Sequence, residues 1–427
     1  MNYNLNRKIK QVKISTLVIG VDIAKEKHVA RGQDYRGIEL GKGIVFRNSK
    51  EGFNSLLNWI YEMKDKNNKE DVIVGLEPTG HYWFNLAQFL SKSNIKVVLV
   101  NPSHTKKSKE LDDNSPTKND KKDAKIIAQL VKDGRYSKVN IPVGVYAEIR
   151  VAMTNMERLN KDLQRVQGKV HQFIDKYFPE YCKVFKNWEG KTSLMTLEKF
   201  PLPNEVLKLN AKEIVRIWRK EVKGAVGIKR ARKLIKFARK SVGLEEGTKM
   251  AKIELSYLLI QYKLVKEQMN KIMSKVEKLL KEIPGTREML SIRGIGLKTV
   301  AGFVSEVGDI NNYDHPRQIQ KLAGLNLKEN SSGKHKGRTK ITKRGRPKLR
   351  SLLYRATFPL VVNNDEFRDL HNYYTARSEN PLKKIQSLIA LCCKLIRILF
   401  ALWSKEVEYD GEKLMRDIKR PKVQGAV

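Results

Sequence analysis

The sequence predicts a chain of mixed class: an α/β layer over residues 1–140, a middle region of long helices, and a mainly helical C-terminal region. Three observations predict it. Short apolar runs alternate with helical patterns up to about residue 133. Two stretches, from 149 and from 255, then keep a sustained three-four apolar spacing. After Ile283-Pro284-Gly285 the pattern is helical again. The boundaries follow as 1–140, then 141–284 with a helical insertion at about 182–245, then 285–427.

Residues 16 to 22, Thr-Leu-Val-Ile-Gly-Val-Asp, read as a buried strand ending in a carboxylate. Shorter strand-like pieces follow around His28–Arg31 and Gly43–Phe46. A helix starts near Ser49, with Phe53, Leu56, Leu57 and Ile60 at helical spacing. Asp71 to Glu77 is a second apolar strand ending in a carboxylate. After Pro78-Thr79-Gly80 a helix runs through Phe84, Leu86 and Phe89. Ile95–Val100 is a strand closed by Asn101-Pro102, and Asp120–Asp133 is the next helix. That order gives a mixed sheet with helices layered on it.

The first long helix carries Ile149, Ala152, Met156, Leu159, Leu163, Val166, Val170, Phe173 and Tyr177. The second carries Leu255, Leu258, Tyr262, Val265, Met269, Ile272, Val276, Leu279 and Ile283. Such narrow seams belong to coiled-coil packing, either with each other as an antiparallel hairpin or with a second subunit as homodimer or tetramer. In the C-terminal region Gly294-Ile295-Gly296 forms a hairpin between apolar helices. A further helix begins near Pro347, where proline suits the first turn.

The formal net charge is +39, from 85 Lys and Arg against 46 Asp and Glu. A charge of that size repels itself unless a polyanion is near, which points to nucleic acid. A ribosome-binding or lipid-binding basic protein is the plainer alternative. The N-terminus lacks an apolar signal core and no run of 18 apolar residues stands out, so a cytoplasmic, nucleoid-associated protein with no membrane span is expected. Cys182, Cys392 and Cys393 fit neither a disulfide framework nor a zinc site. His28, His81 and His104 are not spaced as metal ligands and read as ordinary polar residues.

Four carboxylates carry the chemistry. Asp22 and Glu77 close apolar strands, while Asp120 and Asp123 stand three apart at a helix start and share a face. Converging on one cleft, they would chelate Mg²⁺, a hard cation that takes oxygen ligands. Two ions (Mn²⁺ being the alternative) would clamp an in-line phosphodiester displacement. Taken singly, each acid reads as a turn residue or a helix cap.

Four segments then carry a resemblance: Ile19-Gly20-Val21-Asp22-Ile23-Ala24-Lys25, Leu76-Glu77-Pro78-Thr79-Gly80-His81-Tyr82, Asn101-Pro102, and Lys118-Asn119-Asp120-Lys121-Lys122-Asp123-Ala124. The far end adds Arg293-Gly294-Ile295-Gly296, Leu322-Ala323-Gly324-Leu325, Ser331-Ser332-Gly333, Lys343-Arg344-Gly345 and Leu349-Arg350. Together these resemble the DEDD transposases, bridge-RNA-guided recombinases of the IS-one-ten group. The resemblance implies a RuvC-like, RNase-H-like N-terminal domain with Asp22, Glu77, Asp120 and Asp123 as its metal-binding tetrad. It implies Ser332 as the nucleophile that forms a covalent phosphoserine with DNA, Ser331 being its neighbour in a one-residue shift of register. It further implies donor and target DNA and a guide RNA as partners, with an active site composed from two subunits.

Nine of residues 334–350 are basic and none acidic: Lys334, Lys336, Arg338, Lys340, Lys343, Arg344, Arg346, Lys348 and Arg350. Directly after the serine, this loop suits phosphates around a scissile bond. Gly294, Gly296 and Lys298 of the glycine hairpin suit another phosphate contact, as in a helix-hairpin-helix. Basic runs at Lys106-Lys107, at 229–233 and at 416–422 add further candidate contacts. The reading is therefore a transposase that cuts and rejoins DNA. The alternatives are a RuvC-like junction-resolving nuclease using the carboxylates alone, and a non-catalytic nucleic-acid-binding scaffold.

Overall fold

The computed structural model describes residues 3–112, 120–222, 227–328, 331–332, 335–336 and 339–415, and their side chains except those of 3–4, 109–112, 120–121, 331–332 and 335–336. The chain forms two compact units, Met1–Ile141 and Pro142–Val427.

In the first unit, strands β1 (Thr16–Asp22), β2 (Lys27–Gln33), β3 (Ile44–Arg47), β4 (Asp71–Leu76), β5 (Lys96–Val100) and β6 (Tyr136–Lys138) make one sheet of order β3-β2-β1-β4-β5-β6. β1, β4 and β5 run parallel, and β2 and β6 run against their neighbours. The helices are α1 (Tyr3–Ile9), α2 (Lys50–Lys66), α3 (Trp83–Lys92), α4 (Pro102–Asp112) and α5 (Asp120–Lys132). Ser49 caps α2 by accepting the Gly52 N–H, one of the donors a helix start leaves orphaned. The central strand is buried on both faces, which is why it reads as a continuous apolar run. Leu17, Ile19, Val21, Val74 and Leu76 pack in a core with α2 and α3 residues, while Val18, Ile73, Val98 and Val100 pack with α5 residues. The mixed α/β sheet is as expected and is consistent with an RNase-H-like DEDD domain. Three elements lie outside the expectation: α1, α4 and the edge strand β6. The first two are too polar to show an apolar period, and β6 is only three residues long.

The second unit starts with α6 (Gly144–Tyr177). A helical module follows: α7 (Tyr181–Val184), α8 (Lys191–Lys199), α9 (Pro203–Val206), α10 (Ala211–Arg219) and α11 (Ile228–Ala238). Then come α12 (Thr248–Lys281), α13 (Thr286–Leu290), α14 (Leu297–Val307), α15 (Pro316–Ala323), α16 (Pro347–Asn363), α17 (Asp365–Ala376), α18 (Lys384–Lys405) and α19 (Gly411–Met415). The two seams read from sequence meet each other within the chain. Ile149 near the start of α6 shares a core with Val276 and Leu280 near the end of α12, and Phe173 and Ile174 share one with Ala251 and Leu255. The Leu244 N–H also donates to the Lys176 carbonyl, so α12 starts where α6 ends and the pair is antiparallel. Each helix has 34 residues, about 50 Å at 1.5 Å per residue.

α18 is long and apolar enough to cross a membrane by length and composition, a helix that the sequence reading did not single out. Here Leu391, Leu395, Ile396 and Leu399 of α18 lie in the core of the C-terminal bundle. His28 also departs from its reading as an ordinary polar residue. It is fully buried, its ring 5.2 Å from that of Phe46 and 6.2 Å from that of Phe53.

Candidate active site and nucleic-acid interface

Strand alternation decides where the acids go. A β-strand sends residues i and i+2 to the same face. A Cβ placed on Gly20 would lie 2.0 Å from the Ala124 carbonyl oxygen and 2.4 Å from the Ala128 nitrogen, so Gly20 faces α5 at backbone contact. A Cβ on Gly75 would likewise meet Val131 and Ile127 of α5. Asp22 follows Gly20 by two residues on β1 and therefore lies on the α5 face, and Glu77 is the residue directly after β4. Gly20 pairs with Gly75 and Val21 with Leu76 in a parallel register, which sets Asp22 and Glu77 side by side at neighbouring strand ends. Strands so paired are about 4.8 Å apart.

The two glycines let α5 lie directly on the sheet. Asp123, one residue before Ala124, is carried down with it and is only 6% exposed. Asp120 is the first residue of α5, one turn from Asp123, and its side chain lies outside the described residues. Asp22, Glu77 and the start of α5 that carries Asp123 thus lie at the same end of the β1–β4 pair. Among the described residues, though, no group of three His, Cys, Asp or Glu side chains is close enough to hold a metal ion. A further buried acid, Asp34, is spoken for by a turn. Its Oδ1 accepts the N–H groups of Arg36, Gly37 and Ile38 at 2.9 Å, and Arg36 Nε donates to Oδ2 at 3.1 Å. Burial works against ionisation there, but these donors outweigh it and hold the carboxyl below its ordinary range.

In the second unit the segment read as a basic loop is a short β-ribbon. β7 (Leu327–Lys328) pairs with β10 (Lys340–Ile341), and nested inside them β8 (Ser331–Ser332) pairs with β9 (His335–Lys336). Ser332 faces His335 in the register and ends its strand at the ribbon tip. The side chains of Ser331, Ser332 and Lys336, and all of Gly333, Lys334 and Arg338, lie outside the described residues, as do the candidate contacts at 416–422.

The remaining six cations of 334–350 divide into two groups. Lys340, Lys343 and Arg344 are exposed. Arg346 donates to the Glu306 carbonyl and lies 3.7 Å from that residue's carboxylate. Lys348 pairs with Glu157 at 2.5 Å, and Arg350 donates to the carbonyls of Ala323 at 2.9 Å and Lys343 at 3.3 Å. The last three therefore fasten the ribbon to its support. The counter-charges were invisible in the local sequence because Glu157 and Glu306 come from α6 and α14.

Two glycine motifs far apart in the chain touch. A Cβ on Gly345 would lie 2.5 Å from the Gly324 nitrogen and from the Leu322 carbonyl oxygen. Gly324 also has φ +68, a left-handed conformation that suits glycine at the end of α15. At the other hairpin, Gly294 has φ +99 and turns inward, where a Cβ would lie 2.9 Å from the Pro359 carbonyl oxygen of α16. Gly296 has open space around it and starts α14, and Lys298 is exposed. Of the two glycines, Gly296 is the one left to approach a phosphate.

Comparison with known proteins places these features in two matched segments. Residues 19–179 match a family model for DEDD transposases of the IS110 type, described as a transposase. Residues 286–374 match one described as the transposase IS116/IS110/IS902 family. Among similar proteins, a putative transposase y4rJ of Sinorhizobium fredii is 31% identical over 125 residues, which is 29% of this chain and 30% of that one. An IS110 insertion-element protein of Streptomyces coelicolor, 43.6 kDa and uncharacterized, is 20% identical over 301 residues, 69% of this chain and 72% of its own. The transposase for insertion sequence element IS1111A of Coxiella burnetii is 28% identical over 119 residues, 28% and 33% of the two chains. The match thus spans about a third of the first and third relatives. Residues 180–285 lie between the two family matches.

Proposed function

The chain belongs to the IS110/IS116/IS902 family of DEDD transposases, and from that premise we propose that it cuts and rejoins DNA strands as the recombinase of an insertion sequence. The observation that carries the reading is that Asp22 and Glu77 close the neighbouring parallel strands β1 and β4, with the Asp123-bearing start of α5 packed on Gly20. In this reading Asp22, Glu77, Asp120 and Asp123 hold divalent metal, Mg²⁺ in the first instance and as two ions. The donor set suits such a cation, since it is all carboxylate oxygen. Bound there, the metal supplies Lewis-acid stabilisation of charge on phosphate oxygens.

The Ser332 hydroxyl is the nucleophile. Its oxygen bonds to phosphorus as the bond from phosphorus to one sugar oxygen breaks, and the serine proton ends on that leaving oxygen. The phosphodiester energy is kept in the phosphoserine link, so a second strand's sugar hydroxyl can reverse the step without ATP. Lys340, Lys343 and Arg344 hold backbone phosphates near the ribbon, with Lys334, Lys336 and Arg338 assigned the same role from sequence. They carry charge and no base-specific geometry, which suits a protein whose site choice is delegated to a guide RNA paired with donor and target DNA.

The seams of α6 and α12 are spent on each other, so assembly needs another surface. On α12 a second three-four series, Met250, Ile253, Tyr257, Ile260 and Leu264, is 44–69% exposed, and we assign it to pairing with a second copy.

The deciding experiment incubates wild type and Ser332→Ala with donor and target DNA, the guide RNA and Mg²⁺. Wild type should give a protein–DNA adduct stable to denaturant, and the variant none. Full strand cleavage by the variant would instead favour a nuclease that uses the carboxylates alone.

A further inference from the structure

We propose that α11 is a second nucleic-acid contact, a face that binds the backbone phosphates of a double helix at a distance from the serine ribbon. The inference takes from the transposase reading only the identity of the polyanion.

Residues 228–240 hold seven cations, Lys229, Arg230, Arg232, Lys233, Lys236, Arg239 and Lys240, and no acid. All seven are exposed, while Ala231, Leu234 and Ala238 of the same helix are buried in the core of the module. The helix is therefore anchored by one side and presents a mainly charged surface on the other. Lys229, Lys233, Lys236 and Lys240 recur at steps of four, three and four, so they stand in a row where like charges repel.

The neighbouring helix handles its charge differently. On α12, Lys252 pairs with Glu205, Lys263 with Glu198 at 2.7 Å, Lys266 with Glu189 at 3.5 Å and Lys271 with Glu267 at 2.6 Å. Among the described residues, no cation of α11 has such a partner. Arg232, Lys236, Arg239 and Lys240 line a shallow depression with Ile235. The row from 229 to 240 covers about 16 Å at 1.5 Å per residue, comparable to the width of a duplex groove with its flanking phosphates.

Phosphates rather than bases are the ligand. The aromatic ring of α11, Phe237, has the Lys183 and Lys233 ammonium groups each 5.8 Å from its centre, leaving no open stacking platform for unpaired bases. The module sits at the far end of the α6/α12 pair from the C-terminal bundle. That bundle grips α6 at Glu157, twenty residues or about 30 Å short of Tyr177, beyond which the module begins. A duplex held at both places would be protected over roughly one extra helical turn. The site also lies in the stretch that neither family match includes, so it is a property of this chain rather than of the matched segments.

The test uses the full chain with Lys229, Arg232, Lys236, Arg239 and Lys240 all changed to Gln, and circular dichroism melting to check the fold. Binding to duplex RNA and to duplex DNA of roughly 20 base pairs is measured against salt. Affinity at low salt should fall at least about tenfold, and on DNA the slope of log K against log salt should shrink by roughly 0.9 for each phosphate no longer neutralised. The duplex with the larger loss identifies the natural source. A charge-keeping variant with Lys and Arg exchanged at the same five positions should bind as wild type. A control with Lys42, Lys50, Lys66, Lys92 and Lys138 changed to Gln removes the same charge elsewhere. Equal losses in that control, or unchanged binding and slope in the α11 variant, would overturn the proposal. Should the fivefold variant unfold, Arg239→Gln with Lys240→Gln at the exposed end reads the same slope. Strand transfer is followed in parallel. Unchanged duplex binding with intact strand transfer sinks the α11 site alone, and weakened binding in a chain whose wild type never transfers strands sinks the transposase reading alone.

Discussion

At the scale of single residues, the candidate site depends on two missing methyl groups. Gly20 and Gly75 lie side by side under α5, and a side chain at either would lift that helix from the sheet. Gly20→Ala should therefore lower stability by about 1–3 kcal/mol and strand transfer by more than stability alone explains. Urea titration and a strand-transfer assay on the same preparation check this. Asp22→Asn should lower strand transfer by a factor on the order of 10³ while duplex binding stays at wild-type strength. Equal strand transfer by variant and wild type would remove Asp22 from the chemistry.

His28 makes a pH prediction. Burial pushes its pKa below the ordinary 6.5, partly opposed by a hydrogen bond that the ring donates to the Asn48 side chain. The unfolded chain then takes up the proton more readily than the folded one. The stabilising contribution is complete above pH 6.5 and is lost as pH falls from there towards the lowered folded value. The urea midpoint of the first unit should drop between pH 7 and 5, and His28→Phe should flatten that drop.

At the scale of elements, polar ties hold the loop after α7 against the long helices. Glu189 accepts from Gln167 and from the Tyr262 hydroxyl, each at 2.6 Å, with Lys266 at 3.5 Å. Burial opposes ionisation of Glu189, yet these partners outweigh it and keep the carboxyl below its ordinary range, while burial and the same carboxylate raise Tyr262. Glu189→Ala strands partly buried donors on α6 and α12 and should cost about 1–3 kcal/mol, read by thermal unfolding. The exposed stripe on α12 makes a separate prediction. Ile260→Lys should leave the fold intact and shift the chain towards monomer in light scattering. An unchanged mass for a wild-type oligomer would place the interface elsewhere.

At the scale of the whole molecule, the two units have separate cores and should unfold separately. Val18, Ile73, Val98 and their α5 partners belong to the first unit, and the bundle around α18 belongs to the second. Calorimetry should show two transitions, and the His28-linked pH effect should move only one of them. A single transition carrying that pH effect would mean the units fold as one.

The sequence alone determined the periodic elements and the acids that end them. Strand alternation and helical spacing are local properties, so β1, β4, β5, α5 and both seams were legible, as were Asp22, Glu77 and the Asp120–Asp123 pair. Only the tertiary structure decided what those features meet. The parallel register of β1 and β4 and the contact of α5 with Gly20 bring Asp123 to the strand ends that carry Asp22 and Glu77, a relation carried by no local window. The same holds for Arg346, Lys348 and Arg350, whose partners are supplied by Glu306 on α14, Glu157 on α6 and the backbone at the end of α15. It holds also for the seams, which spacing left open between one chain and two. Which charges and apolar faces stay free for a partner depends on residues brought together by the fold, and pairing across long separations leaves no period to read.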